Sequence, residues 1–393
     1  MKSPGEARSP VLRLAVSLGL AFLAPGCGSS RTFVARPGIY DRIPEEDLER
    51  ARDARKYLEL QNLRRAHEIL GELQEKLPDN VPIALLLQEV KLSLLLRGQA
   101  AEGPPSPTSP LTPAKAQAVL YDFQKSLVEE APSVVGLILA ARVAADPETA
   151  LVHLDLVAGE DPECIWIHYG RAHFLYLTRR FPEVRAEIAA ALELDPGHLP
   201  TLRLEATLLA QAGDVSEAIE VLEYWLEQSA EDPFVDPRMY AEAQVDLAAL
   251  YVFDDEPQDA LAYLSAVNRR FLRDDLSRAR ATLVRAAALE ATGNHAAALG
   301  AAQEAQRLDP GELLALVDQA YLLKRIFGQD REEQAWEELV ATAEAERERR
   351  EQAGEPASQD DLDFQGMLYE LQARTRLERI RRDHESRPPE GEP

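Results

Sequence analysis

The tetrapeptide LDPG occurs at 194–197 within ALELDPGHLP and again at 308–311 within AQRLDPGELL. Alignment on proline reveals a shorter interval, because Pro162 and Pro196 lie 34 residues apart. The same interval separates three further pairs: Ala172 and Ala206, Ala286 and Ala320, and Ile188 and Leu222. A fixed period of this length is typical of an array of one repeated supersecondary unit.

One unit can be read in LPTLRLEATLLAQAGDVSEAIEVLEYWLEQS (199–229), where apolar residues recur at helical spacing on both sides of AGD. The pattern predicts a helical hairpin. Gly213 can take the left-handed conformation that ends the first helix, and Asp214 or Ser216 can cap the second. The residue before a proline is driven out of helical geometry, so each Asp-Pro pair is expected to end a second helix. The proline itself is tolerated in the first turn of the next helix.

Composition agrees with a helical chain. The protein has 393 residues, of which 46% are hydrophobic and only 6% aromatic, and no stretch has the texture of a strand. We expect an all-α protein. The formal net charge of −25 repels phosphate groups, so nucleic acid is not an expected partner.

The repeats resemble the tetratricopeptide repeat (TPR) family over residues 47–345. The resemblance implies an α-solenoid of about eight antiparallel helical hairpins, clearest at 165–198, 199–232 and 279–312. The family's first-helix Trp is missing, and His168 and Arg171 stand where the family has apolar residues. The small residues of the family's first helix match Ala54, Ala172, Ala206, Ala248, Ala286 and Ala320, and those of its second helix match Ala66, Ala150, Ala218, Ala260 and Ala298.

The array has one interruption and an expected cap. The proline-rich stretch 98–113 cannot be helical and is expected to be a flexible insertion. A C-terminal region, 346–385, contains an amphipathic helix predicted at 360–382, and residues 386–393 form a tail. We interpret that helix as a cap on the solenoid; docking on another protein is the alternative.

The first residues indicate export. A short apolar run follows basic residues, and LAPGC (23–27) resembles the lipobox of bacterial lipoproteins, although Pro25 is unusual and Leu23 is one place early. The resemblance implies that 1–26 is a signal peptide, that Cys27 is acylated with diacylglycerol and palmitate, and that 27–46 tethers the array to a membrane. Gly28 in place of Asp favours the outer membrane, facing the periplasm. The alternatives are a soluble secreted protein and a retained signal anchor.

No motif for chemistry is present. The seven histidines form no HExxH or Cys/His set, and the sequence has no GxGxxG or phosphate loop. We therefore predict no catalytic residue, no metal and no cofactor. Cys164 is expected to be an inert thiol.

One cluster has the composition of a binding site. Trp166, Tyr169, His173 and Tyr176 follow helical spacings of three, four and three, and thus share one helix face. In the TPR family this face lines a concave groove that binds extended or helical peptides, and Arg203 would occupy the matching position of the next repeat. The alternative is that the aromatic residues pack between repeats. A terminal-carboxylate ligand is not supported, since the Lys and Asn residues of such grooves are missing.

These observations predict a non-enzymatic, lipid-anchored TPR scaffold or assembly factor that binds a protein partner in the bacterial cell envelope. Two alternatives stay open. One is a soluble secreted repeat protein, and the other is an enzyme, or an accessory subunit of an envelope enzyme, with a site in the irregular region 229–275.

Overall fold

The computed structural model describes residues 33, 38–99, 103–104, 109–230, 232–272, 274–310, 313–353 and 373–382. All regular secondary structure in these ranges is helical, and they contain no strand. The all-α prediction is confirmed.

The helices follow one another in pairs. Within the described ranges, sixteen helices make eight consecutive hairpins, and a further helix, α17, covers 373–382. The pairs are α1 (Glu45–Glu59) and α2 (Leu63–Lys76), α3 (Val81–Leu96) and α4 (Pro113–Glu130), α5 (Val134–Arg142) and α6 (Pro147–Glu160), α7 (Ile165–Leu177) and α8 (Phe181–Leu194), α9 (Leu199–Ala212) and α10 (Val215–Ser229), α11 (Pro237–Phe253) and α12 (Pro257–Ala266), α13 (Asp275–Ala291) and α14 (His295–Leu308), and α15 (Leu313–Phe327) and α16 (Gln329–Ala353). This order confirms the α-solenoid of about eight hairpins.

The small residues of the repeat lie where helices cross. All eleven alanines that the pattern picked out are between 0% and 2% exposed. A methyl side chain lets neighbouring helix backbones approach closely, and a larger one would separate them. The repeated alanines therefore set the spacing of the stack.

The turn inside each hairpin and the link between hairpins follow the sequence signals. Gly213 and Gly293 have φ of +85° and +83°, in the left-handed region. Asp195 and Asp309 end α8 and α14 in extended conformation, as a residue before proline should. The proline does not enter the next helix, however, because α9 begins at Leu199, three residues after Pro196.

The chain divides into two compact units, and the division passes through α9 and α10. Here the N-terminal unit means the described residues up to 207 together with 220–240, and the C-terminal unit means 208–219 and those from 241 onward. In the N-terminal unit, a first core cluster packs α1, α2 and α3 together through residues such as Leu58, Leu70 and Leu94. A second cluster joins the α3, α5 and α7 helices around Val81, Ile138 and Trp166.

In the C-terminal unit, α13 to α16 pack in sequence, and α17 lies against the last pair. Ala373, Leu377 and Ile380 share a cluster with Trp336 and Leu339 of α16. Arg376 also donates from Nε to Oε1 of the fully buried Glu332 at 2.7 Å. The cap predicted at 360–382 is thus described in its last part, whereas its stripe at 362–371 lies outside the described residues.

Candidate functional site on the first helices

The predicted aromatic stripe lies on α7, but its members differ in exposure. Trp166 is only 4% exposed, Tyr169 and Tyr176 are half-buried, and His173 is exposed. The stripe therefore runs from the packed interior at the start of α7 to the surface near its end.

Trp166 is an interior residue. Its indole N–H donates to Oδ1 of Asp41 at 2.8 Å, and its ring meets His198 edge to face at 4.8 Å. Burial raises the pKa of Asp41, the hydrogen bond from Trp166 opposes this shift, and the nearby Asp195 adds to it. The structure places Trp166 in packing between repeats rather than on an open surface.

The segment before α1 is fixed by this packing. The backbone N–H of Val81 donates to the carbonyl of Tyr40 at 2.9 Å, and the Tyr40 hydroxyl donates to Oδ2 of Asp161 at 3.0 Å. Burial and this hydrogen bond raise the pKa of Tyr40 to about 12. Residues 38–41 thus contact the starts of α3 and α7.

His198 closes the base of the aromatic group. It is 6% exposed, its Nδ1 lies 2.7 Å from the Thr201 hydroxyl, and burial lowers its pKa to about 3. A ring with this pKa is uncharged at neutral pH. His198 is therefore a packing residue of the α9 start.

Tyr169 and His173 carry the polar groups that point out of this core. Their rings lie 6.4 Å apart, and within the described ranges neither the Tyr169 hydroxyl nor the His173 ring makes a hydrogen bond. The ring of His173 is reached by solvent on one side only; desolvation by its neighbours lowers the pKa of His173, and the charge of Arg142 lowers it further. Burial raises the pKa of Tyr169 against the opposing charges of Arg142 and Arg203. At neutral pH the pair offers an uncharged phenol and an uncharged imidazole beside two guanidinium groups.

Charged residues from neighbouring first helices extend this surface. Arg142 of α5 donates from Nη1 to Oε1 of Gln88 at 3.0 Å and from Nη2 to Oε2 of Glu89 at 2.7 Å, both on α3. Burial would raise the pKa of Glu89, but Arg142 and Arg238 outweigh burial and hold that pKa below its ordinary value. The sequence analysis did not identify Arg142 or Glu89 as part of the candidate site.

A positional signal could have found them. His173 follows the buried Ala172, Arg142 follows the buried Ala141, and Glu89 follows the buried Gln88. The residue after a packing position lies next to it around the helix, so these three occupy equivalent places in their repeats. We call the surface formed by Arg142, Tyr169, His173 and Arg203, on α5, α7 and α9, the first-helix face.

Arg203 and Tyr176 complete the predicted set. The Arg203 guanidinium carbon lies 5.8 Å from the ring centroid of Trp225, a cation–π distance within the α9–α10 hairpin. Tyr176 meets Phe181 edge to face at 6.1 Å across the turn between α7 and α8. Arg203 is thus held beside Tyr169, whereas Tyr176 marks the outer end of the stripe.

Metal clusters, membrane spans and the two cysteines were the other features of interest in the sequence. In the parts of the chain that the structure describes, no three His, Cys, Asp or Glu residues are placed to hold a metal ion, and no helix is long and apolar enough to cross a membrane. Cys164 is 2% exposed, and burial raises the pKa of its thiol to about 11. The predicted lipid anchor, Cys27, lies outside the described residues.

Comparison by sequence gives no relative. No protein-family model matches the chain, and no curated protein matches it.

Comparison by structure gives many matches. A chain of the crystal structure of the APC/C hetero-tetramer Cut9–Hcn1 matches with a TM-score of 0.52 at 14% identity, covering 84% of this chain and 54% of that one. Yeast Tom70 matches with a TM-score of 0.40 at 14% identity, over 96% and 73% of the two chains. The TPR protein YrrB matches with a TM-score of 0.39 at 18% identity, over 50% and 97%.

The Cut9–Hcn1 match exceeds a TM-score of 0.5 and extends over most of this chain. The fold is a tetratricopeptide-type α-solenoid. At this level of identity the likeness concerns the fold alone, and what the first-helix face binds has to be argued from its residues.

Proposed function

We propose that this protein is a non-enzymatic scaffold that binds a polypeptide segment of a partner protein on its first-helix face. The observation that carries the proposal is the pair Tyr169 and His173, whose polar groups have no hydrogen-bond partner in the described ranges and lie next to Arg142 and Arg203. Because helices hold these side chains in place before binding, little ordering is needed when a partner arrives.

The chemistry of the face favours a segment rich in hydrogen-bond acceptors. The phenol and the guanidinium groups donate, and carboxylates or backbone carbonyls of an extended segment accept. The aromatic rings of Tyr169 and Tyr176 add rigid contact area, which is common where binding energy concentrates. A partner segment with an acidic residue near an apolar one fits this face.

We further propose that the scaffold is anchored in a bacterial cell envelope through a lipid on Cys27, at the outer membrane and facing the periplasm. The lipobox-like LAPGC sequence and Gly28 support this location. Anchoring raises the local concentration of the scaffold for partners at the same membrane. Its role would then be assembly of envelope components rather than turnover of a substrate.

Site-specific photocrosslinking in cells tests the binding face. A crosslinking residue at exposed position 173 should capture a partner peptide, and one at position 176 should capture the same partner. A crosslinker at exposed Val152 of α6, in the same unit, serves as the control. Equal capture from position 152, or capture from 173 that persists unchanged in Tyr169→Ala, contradicts the proposal.

Metabolic labelling with a palmitate analogue tests the anchor. The full chain should incorporate the label and enter the membrane fraction, whereas Cys27→Ala should do neither. A full chain without label would contradict the lipid anchor and leave the soluble secreted protein and the retained signal anchor as alternatives. This result would not affect the binding face, since the two proposals use different residues.

A further inference from the structure

The residues that join the end of α10 to the start of α11, from Ser229 to Arg238, pack against other helices of the N-terminal unit. Ser229 is fully buried, and Pro233, Val235 and Pro237 are also buried. A solvated loop would expose such residues. The described residues of this segment, 229–230 and 232–238, therefore lie on a surface of the N-terminal unit.

That surface belongs to α1 and α3. Arg55 of α1 donates from Nη1 to the carbonyl of Ser229 at 3.1 Å and also to the carbonyl of Asp232. Phe234 packs against the core cluster of α1, α2 and α3. Arg238 donates from Nη2 to Oε1 of Glu89 at 2.7 Å. Contacts of this kind join residues 149 to 177 positions apart in the chain, whereas a linear repeat array has contacts only between neighbours.

The contacts fall on the positions that form the first-helix face farther along. Arg55 follows the buried Ala54, as Glu89 follows Gln88 and His173 follows Ala172. The segment thus lies on α1 and α3 in the place that we assign to a partner on α5, α7 and α9. It is bound through backbone carbonyls, one aromatic ring and one arginine.

We propose that the faces of α1 and α3 form a second polypeptide site whose resident ligand is the chain's own segment 229–238, and that this ligand is displaceable. The competing partner is an extended segment of the same chemistry: a proline-flanked aromatic residue with an arginine four positions later. Carbonyls of that segment would accept from Arg55, its aromatic ring would take the place of Phe234, and its arginine would pair with Glu89. The proposal does not depend on Tyr169 or His173.

A separate polypeptide segment can bind this site only in competition with the resident segment 229–238. Because it is covalently attached, it competes at an effective concentration on the order of millimolar, so an added segment must bind after partial opening. Glu89 keeps its bond to Arg142 when Arg238 leaves, so opening does not strand a buried charge. The site can therefore exchange one occupant for another.

A synthetic peptide tests the proposal directly. A labelled peptide of residues 229–240, which includes Ser229, is titrated with the full mature chain, with Phe234→Ala and with Arg238→Gln, and anisotropy is measured. Both variants weaken the resident segment and should bind the peptide about tenfold or more tightly than the unchanged chain. Arg238→Gln removes two partly buried ion pairs, with Glu89 and with Asp236, but leaves the apolar contact of Phe234 in place. It keeps the test valid if Phe234→Ala does not fold.

Controls separate this site from other surfaces. Arg55→Ala in the Arg238→Gln background should abolish binding, whereas Arg64→Ala on the exposed side of α2 should not. A peptide with its phenylalanine replaced by alanine should fail to bind. If neither opened variant binds the peptide while helicity stays intact, or if binding ignores Arg55→Ala, the segment is a fixed structural element and the proposal is wrong. Tyr169→Ala tests the first-helix face separately and should leave this peptide bound.

Discussion

Left-handed residues mark the turns inside the hairpins. Among the described turns, Gly213, Gly293 and Gly328 have positive φ, and Gln61, Arg179 and Asp255 take the same conformation with φ between 59° and 65°. The left-handed region is costly for a residue with a Cβ, so tertiary packing must impose it at the last three. Glycine signals in the sequence predicted the first kind of turn and could not predict the second.

Gly293→Ala isolates this backbone cost. A Cβ at Gly293 would meet no atom within 4 Å, so only its φ of +83° opposes the change. We expect the free energy of unfolding to fall by about 1 kcal/mol, measured by chemical denaturation. Gly300→Ala in α14 is the matched control, because it also has open space but lies inside a helix. It should raise stability by about 0.5–1 kcal/mol. Equal effects of the two changes would contradict the backbone explanation.

His198 makes stability depend on pH. Burial lowers its pKa from 6.5 to about 3, so the unfolded chain takes up a proton at a pH where the folded chain does not. Its contribution is complete above pH 6.5 and is lost as the pH falls toward 3. Between about pH 7 and about pH 5.5 we expect a loss of about 1 kcal/mol in the free energy of unfolding.

A comparison of the unchanged protein with His198→Gln tests whether His198 causes this pH-dependent loss of stability. Glutamine can keep a hydrogen bond to Thr201 and does not titrate, so the variant should be less stable at neutral pH but vary less between the two pH values. Other histidines contribute equally to both proteins and cancel. Identical pH dependence in the two proteins would show that His198 is not the source.

Helix crossings depend on residues that the sequence identified correctly. Ala298 of α14 is 0% exposed and shares a cluster with Leu299 and Leu322. Ala298→Leu adds volume at this contact and should lower the free energy of unfolding by about 1–3 kcal/mol. Ala296→Leu, on the exposed side of the same helix, should change it by less than about 0.5 kcal/mol. Thermal unfolding of both variants checks the difference, and a costly Ala296→Leu would mean that the faces of α14 are misassigned.

At the scale of helices, the sequence predicts contacts that recur in each repeat and does not predict contacts that occur once. Ala172, Ala286 and Ala298 could be recognised because one packing requirement recurs in every hairpin and leaves a periodic trace. Trp166 follows the helical spacing of the stripe, but its environment comes from Asp41, 125 residues earlier in the chain. A contact made once, between distant segments, leaves no periodicity. The aromatic stripe could therefore be located from sequence, and its burial could not.

At the scale of the whole chain, contacts that recur in every repeat differ in the same way from contacts that are made only once. The order of hairpins follows from local signals, whereas the docking of 229–238 on α1 and α3 depends on single residues such as Arg55 and Phe234. A linear array can fray from its first repeat because only one neighbour holds that repeat. Here the first repeat has a second set of contacts, so α1 and α2 should be protected against opening.

Hydrogen exchange of the full chain measures that protection. Arg55→Ala removes the donor to two carbonyls, one of them on the fully buried Ser229. Leaving buried carbonyls unpaired costs about 1–3 kcal/mol, so local opening should become about tenfold more frequent. Exchange should accelerate in 45–76 and in 229–238, while α13 to α15 serve as an internal reference. Arg64→Ala tests whether loss of any arginine has this effect. If exchange in 45–76 is already fast in the unchanged protein, the first repeat frays as in an open array and the docked segment contributes nothing to its stability.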